Sequence, residues 1–493
     1  MWSLLLLQGV LAFTVEGEGP VRFGFPLRPD DVARGLCVAG VPGARVACRV
    51  LQAEPDPRTG RIWVELAIEG VRGAARLVRA GREPASAPVE VRRTTESVPE
   101  GLLVTTRWRW RGGAEDVRRR WTFHEATVWQ GEAVEPGECA TRHGEGLPGR
   151  FLRVRVPAGE WQRAGVLPPD QGLAGELRQR LAAAARTLPE LPGWRGAGDY
   201  LRAGGVVTNL EFDTALAFAR LALREEDPEL LAKAWRSAWH LVDRDLDRRT
   251  GLPFVHGSDH RRVRPEPGHV WLQGVFLVGL LSADDELVEQ ARALAQALAR
   301  HPRLRPERAR DERARDLGWP LLELESWLRF QADEGVQRTA DQLAQQVLAR
   351  FDPTQRVLRF GEGERERGLY EDRVWISGGI LLPALRAHVA RSRAPAAARV
   401  VQVLEEALEE RIRRGGAGLP VRVLLHGGDV VDAFRAEGLP ELVLALEGLA
   451  PAALARLVPR AGPRRALAGI PADGDPQLAT SLTMAGRCTW ILR

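Results

Sequence analysis

At 493 residues, with 44% hydrophobic and 27% charged residues, the chain exceeds one ordinary core and has the balance of a globular protein of about two or three domains. Its net charge of +5 is small, Lys233 is its sole lysine, and no Lys/Arg tract interleaves with aromatics, which argues against a nucleic-acid interface. The four cysteines (Cys37, Cys48, Cys139, Cys488) include no C-x-x-C spacing, so a cysteine-rich zinc site is not expected.

The chain opens MWSLLLLQGVLAFTV. The apolar run from Trp2 to Phe13 is too short to span a bilayer. It reads as the hydrophobic core of a secretory signal over residues 1–18, which implies a secreted or periplasmic protein. The alternative is a first buried β-strand, which leaves the protein cytoplasmic. No other segment reaches transmembrane length, so the mature chain is expected to carry no membrane span.

Residues 19–170 read as β. RIWVELAIEG, GLLVTTRWRWRG, VRRRWTFHEATVW and RFLRVRVPAG alternate apolar with polar residues between Gly and Pro clusters, the pattern of antiparallel sheets with one covered face. Trp108, Trp110 and Trp121 are ordinary strand residues and read as sheet packing rather than sugar platforms. Cys37 and Cys48 read as a cross-strand pair or as buried free thiols.

Residues 171–493 take on a helical period. Four segments begin with an apolar helix: EFDTALAFARLALR, HVWLQGVFLVGLL, WPLLELESWLRF and VWISGGILLPALRAHVA. Each turns through EEDPE, SADDE, QADEG or RSRAP, and a second helix follows with a one-sided apolar stripe. The stripes are Leu231–Trp235–Ala238–Val242, Leu287–Ala291–Leu294–Leu298, Val336–Ala340–Leu343–Val347 and Ala397–Val401–Leu404–Leu408. A helix apolar all round lies inside and a one-sided helix outside. The fold class is therefore α+β multidomain, an N-terminal antiparallel β-sandwich-like domain followed by an (α/α) toroid of four to six hairpins, with an open solenoid as the alternative.

In a toroid the long connectors between hairpins emerge at one end, together with the N-termini of the inner helices, which favour anions. Polar clusters fall there: Asn209, Glu211 and Asp213; His256, His260, Arg261, Arg262 and His269, with Trp271 and Gln273; Arg315, Asp316 and Trp319; Tyr370, Asp372, Arg373 and Trp375. Glu211 and Asp213 read equally well as helix caps. The three tryptophans suit core packing as well as sugar stacking. The His256/His260 spacing would suit metal ligation on a helix, but its setting has loop composition. There is no H-E-x-x-H, P-loop or Rossmann glycine pattern.

These pieces resemble the exo-rhamnogalacturonan lyase-like family. The matching stretches are NLEFDT, GHVWLQG followed by LLSADDELVEQARALAQALA, and LGWPLLELESWL. VRFGFPLRPDDVARG is similar to that family's opening G-x-P element, and RIWVELAIEG to its early Trp-containing strand. The resemblance, over most of residues 20–390, implies a β-domain with an α/α toroid and a polysaccharide substrate. The corresponding chemistry is β-elimination from a uronic-acid polymer, which needs a base, a cation for the developing dianion and an acid for the leaving oxygen. His256, His260 or His269 would serve as base, Tyr370 or a second His as acid, and Arg261, Arg262 and Arg373 as neutralisers. Glycoside hydrolysis is the alternative, with Glu211 or Asp213 opposite Asp316 or Asp372. A non-catalytic glycan-binding or scaffold role is the third. The expected partner is a poly- or oligosaccharide; no cofactor is expected, a bridging divalent cation is compatible, and oligomeric state is open.

Overall fold

The computed structural model describes residues 9–52, 54–80, 90–109, 115–130, 132–134, 138–143, 150–167, 186, 190–202, 206–207, 213–254, 265–305, 314–360 and 381–414. These residues form a mixed α+β structure.

The N-terminal strands are β1 (Leu11–Val15), β2 (Val21–Leu27), β3 (Leu36–Val38), β4 (Arg45–Val50), β5 (Ile62–Glu69), β6 (Gly73–Arg79), β7 (Glu90–Val98), β8 (Gly101–Arg109), β9 (Glu115–Phe123), β10 (Thr127–Trp129), β11 (Glu132–Val134), β12 (Cys139–His143) and β13 (Val154–Arg155). They pair antiparallel in sheets ordered β13-β1-β6-β3, β2-β5-β4 and β12-β9-β8-β7, with β10-β11 as a separate ribbon. The alternation in LAFTV puts Leu11, Phe13 and Val15 in the core, so this part of the opening apolar run is a strand. β2 and β5 are covered on both faces, so the alternation in RIWVELAIEG does not mark a solvent-facing side as expected: its polar member Glu65 is buried and paired with Arg22. Outer strand β7 instead carries charge and exposure along most of its length, the usual protection of a sheet edge. Trp108 is buried beneath the Arg22 guanidinium, 3.9 Å from its ring centroid, which makes it packing, as its strand position implied. Cys37, Cys48 and Cys139 are free thiols, Cys37 and Cys48 standing in different sheets; burial and the Glu65 carboxylate push the Cys48 thiol up to about 12.

The helices form α1 (Thr214–Glu225) with α2 (Pro228–His240), α3 (Gln273–Leu281) with α4 (Asp285–Ala299), α5 (Ala314–Leu328) with α6 (Glu334–Leu348), and α7 (Leu382–Ser392) with α8 (Pro395–Arg414). All four hairpins anticipated from the periodicity are present. Their turns share a construction. Glu226, Ala283 and Arg393 adopt left-handed backbone angles, and Asp227, Asp284 and Asp333 cap the outer helices through their carboxylates. The stripe of α4 faces the core, with Leu287, Ala291, Leu294 and Leu298 all buried, as are Val336, Ala340, Leu343 and Val347 on α6. Among the first helices of the hairpins α1 packs on α3 and α5 on α7, while among the second helices α4 packs on α6. Helix α5 starts earlier than the sequence suggested, so Arg315, Asp316 and Trp319 lie in its first turns rather than in a connector. Pro320 lies inside this helix and removes one of its backbone hydrogen bonds. Among the described residues no helix is long and apolar enough to cross a membrane.

The hairpin turns dock onto the strands. Arg22 donates to the Ser282 and Ala283 carbonyls at 2.9 and 3.1 Å. Buried Arg118 bonds Asp284, Glu286 and Thr106 and lies 4.6 Å from the Trp239 ring centroid. Gln52 donates to the Phe330 carbonyl at 3.1 Å, and Arg155 to the Glu226 carbonyl at 2.6 Å. At Gly24 the β2 backbone approaches α3 so closely that a Cβ would stand 1.7 Å from the Leu280 carbonyl oxygen, which only glycine permits. Buried residues of both parts make one continuous apolar cluster.

Candidate active-site rim

Carboxylates tie the N-terminus of α3 to the N-terminus of α1 and to the body of α5. Asp213 caps α1 by accepting from Leu216 N at 2.9 Å with Oδ1, while Oδ2 accepts from Gly274 N at 2.8 Å in the first turn of α3. A Cβ at Gly274 would fall 2.1 Å from Asp213 Oδ1. Glu323 on α5, fully buried, accepts from the Leu272 and Gln273 backbone N–H groups at 3.1 Å each and from Gln273 Nε2 at 3.0 Å. Two negative groups thus neutralise the positive end of α3.

Over this anchor sits a group of ionisable side chains. His269 ends a short 3₁₀ turn, Pro267–His269, and is buried. Arg315 contacts its Nε2, with Nδ1 3.4 Å away from the same guanidinium nitrogen. Glu266 lies 3.7 Å from Nδ1. Arg303 reaches Asp316 at 3.2 Å and Glu266 at 4.0 Å. Gly268 leaves space for Asp316, whose Oδ1 would be 2.4 Å from a Cβ there. A guanidinium can only donate, so the imidazole nitrogen facing Arg315 accepts and carries no proton. A ring in that state can take a proton.

Three expected site residues, His269, Arg315 and Asp316, therefore converge. Four others converge in a different capacity. Both oxygens of Asp213 are committed to backbone N–H groups, and Gln273 is bonded to Glu323, so these hold the helices together instead of facing a ligand. Trp271 and Trp319 meet edge to face at 5.5 Å and are 1% and 2% exposed; they pack and offer no open face for a sugar. Asn209, Glu211, His256, His260, Arg261, Arg262, Tyr370, Asp372, Arg373 and Trp375 lie outside the described residues.

Glu266, Arg303 and Glu323 were not anticipated, since no motif marks them. Two further buried groups also lacked a signal. His240 is enclosed with Asp199 at 3.2 Å and Asp245 at 3.6 Å from its Nε2, while Nδ1 lies 2.9 Å from the Ala197 carbonyl. Burial works against its charge, but the two carboxylates outweigh burial and hold its pKa well above the ordinary value. It stands where α2 passes into a π-helical turn, Leu241–Asp245. Elsewhere Glu325, Asp341 and His388 present ligand atoms within 4.8 Å of one another. Arg391 donates to both carboxylates, so a guanidinium already supplies the positive charge that a metal would bring.

No protein-family model and no curated protein matches the chain, so the resemblance to exo-rhamnogalacturonan lyase-like proteins finds no counterpart there. A solved structure, described as the crystal structure of a family 76 glycoside hydrolase from a bovine Bacteroides thetaiotaomicron strain, aligns over 96% of this chain and 94% of that one, at TM-score 0.40 and 9% identity.

Proposed function

We propose that this protein is a carbohydrate-active enzyme that cleaves an acidic polysaccharide by β-elimination at the His269 rim. The observation that carries the proposal is His269 held as a proton acceptor against the Arg315 guanidinium. A uronic carboxylate is a stronger partner for a guanidinium than a neutral imidazole is, because both groups are charged. Arrival of the substrate would therefore draw Arg315 from the ring onto the carboxylate. That exchange frees Nε2 to take the proton on the adjacent carbon and places a cation where negative charge develops. Proton delivery to the leaving oxygen falls to Tyr370 or to His256 or His260, the assignments made from sequence. The proposal includes closure of the hairpins into an (α/α) toroid over a β-sandwich-like domain, with the division near residue 170. It also includes export directed by residues 1–18, for which N-terminal sequencing of protein from the periplasm or medium is the check.

A second reading rests on one observation: Glu266 and Asp316 share Arg303, which gives the rim two neighbouring carboxylates, as glycoside hydrolysis needs. Product chemistry on pectic and other uronic polymers separates the readings. Elimination leaves a conjugated double bond that absorbs in the ultraviolet, while hydrolysis leaves new reducing ends without it. His269→Ala should lower elimination about 10²–10⁴-fold, the usual contribution of a general acid–base group. A fully active His269→Ala variant removes the proposed base. Reducing ends without absorbance favour Glu266 and Asp316. Polysaccharide binding without turnover favours a non-catalytic module.

A further inference from the structure

The β12-β9-β8-β7 sheet presents two faces of different chemistry, because successive side chains on a strand alternate between them. On the face toward the helices, each arginine of β7 and β9 meets carboxylates. Arg93 lies 3.5 and 3.4 Å from Glu286 and Glu289, Arg118 contacts Asp284 and Glu286, and Arg120 reaches Asp243 and Glu286 at 2.8 and 2.9 Å. This inner face docks on the SADDE turn, at the opposite end of α3 from the His269 rim. The outer face carries Arg92 on β7, Arg107 on β8 and Arg119 on β9.

Register sets these three side by side. Arg92 stands directly opposite Arg107, and Arg119 stands opposite Thr105, two residues along β8 from Arg107. Directly opposed like charges destabilise a strand pair. Glu115 answers Arg107 at 2.9 Å, but it is shared with Arg109 at 3.1 Å. Arg92 and Arg119 are exposed and make no hydrogen bond or ion pair among the described residues. Strands that pair every inward arginine thus leave two outward ones open and set a third against a like charge.

We propose that this outer face is a second contact surface for an acidic polysaccharide, with uronate carboxylates of the polymer on Arg92, Arg107 and Arg119. Neighbouring strands run about 4.8 Å apart, so arginines on three successive strands form a closely spaced row, which suits a polymer bearing a carboxylate on each unit. A guanidinium can take such a carboxylate through two parallel hydrogen bonds. Single-stranded nucleic acid, the other common linear polyanion, is held by stacking its bases on aromatic rings. No aromatic stands among the three arginines, and Trp121, two residues beyond Arg119, is engaged with Trp129 at 5.3 Å. The choice of a uronic polymer rests on the reading of the rim; the positive surplus of the face does not.

The test is native electrophoresis of the full chain through gels holding polygalacturonate or, as the neutral control, dextran. Polygalacturonate should retard the wild-type chain saturably, and dextran should not. Arg92→Gln/Arg119→Gln should weaken retention about fivefold or more, the worth of two exposed ion pairs. Arg338→Gln/Arg399→Gln removes the same charge from exposed positions on α6 and α8, and should change retention less than about twofold, since no row of arginines is broken. No retention of the wild-type chain, or equal weakening by the two double variants, overturns the proposal. So does a single-stranded oligonucleotide held as tightly as polygalacturonate through the same two arginines. Elimination products from a chain whose retention Arg92→Gln/Arg119→Gln leaves unaltered remove this surface and keep the rim reading. Retention lost in that variant, with no product from the wild type, removes the rim chemistry and keeps the surface.

Discussion

His240 illustrates what one buried residue contributes. Both of its ring nitrogens have acceptors, Ala197 O on one side and the Asp199 and Asp245 carboxylates on the other, so the charged ring is the state the site requires. Its pKa is raised above 6.5 on folding. A raised value means that folding binds a proton the unfolded chain releases, so the contribution is complete below pH 6.5 and fades as pH climbs toward the folded value, by up to about 1.4 kcal/mol per pH unit. His240→Gln removes the cation and leaves two buried carboxylates uncompensated, a loss of about 3–5 kcal/mol. Thermal unfolding at a series of pH values checks both statements. The gap between wild type and variant should be widest at about pH 6 and narrow above it; a gap that widens with pH contradicts the assignment. Asp213 carries the same lesson in a different form. Its type and position fit a cap or a ligand equally, and only the second bond, to Gly274 N across to α3, settles that its oxygens are occupied.

At the scale of elements, the SADDE turn does more than reverse the chain. Asp284 caps α4 through Glu286 N at 3.2 Å and also holds the buried Arg118. The two functions separate by substitution. Asp284→Asn keeps a capping oxygen but loses the charge opposite Arg118, while Asp284→Ala loses both. Urea unfolding should show Asp284→Asn destabilised by about 3–5 kcal/mol and Asp284→Ala by about 1 kcal/mol more, the usual worth of an N-cap. Identical losses would mean that the cap contributes nothing here. EEDPE is likewise held by the strand region, through the Glu226 carbonyl on Arg155. Turns that the sequence marks only as reversals are the places where the helical part meets the strands.

At the scale of the whole molecule, the helices share one core with most of the strand region, while the β12-β9-β8-β7 sheet and the β10-β11 ribbon keep a small cluster of their own around Phe123, Val134 and Ala140. Phe25 on β2 and Trp161 stack at 4.7 Å inside the same cluster that contains Leu216, Leu281 and Leu321. Arg118 and Arg120 reach from the strands to the buried carboxylates of Asp284, Glu286 and Asp243, and Arg22, paired with Glu65, donates across to the Ser282 and Ala283 carbonyls. Units joined through a shared apolar interior unfold together. Calorimetry of the wild-type chain should therefore give one cooperative transition for the strand region and hairpins. Two well-separated transitions, with the strand region surviving alone, would show that the interface couples them weakly.

Periodicity alone determined the elements. The β-to-helix change of period, the four hairpins, the Asp-bearing turns of three of them and the one-sided stripes follow from spacings of two to eleven residues along the chain, and local backbone geometry obeys such spacings directly. The nearness of His269 to Arg315 and Asp316 was legible in part, because successive hairpins start at the same end; that the latter two belong to the first turn of α5 and not to a connector was not. The tertiary structure alone decided which side chains meet. Arg118 and Asp284 are 166 residues apart, and His388 and Glu325 are 63 apart; no pattern in the sequence couples positions so distant. It also decided that Trp271 and Trp319 are packing, and that Glu266 and Arg303 belong to the rim. Burial and pairing depend on what the rest of the chain brings to a residue, and a side chain's type states only what it can do once those neighbours are in place.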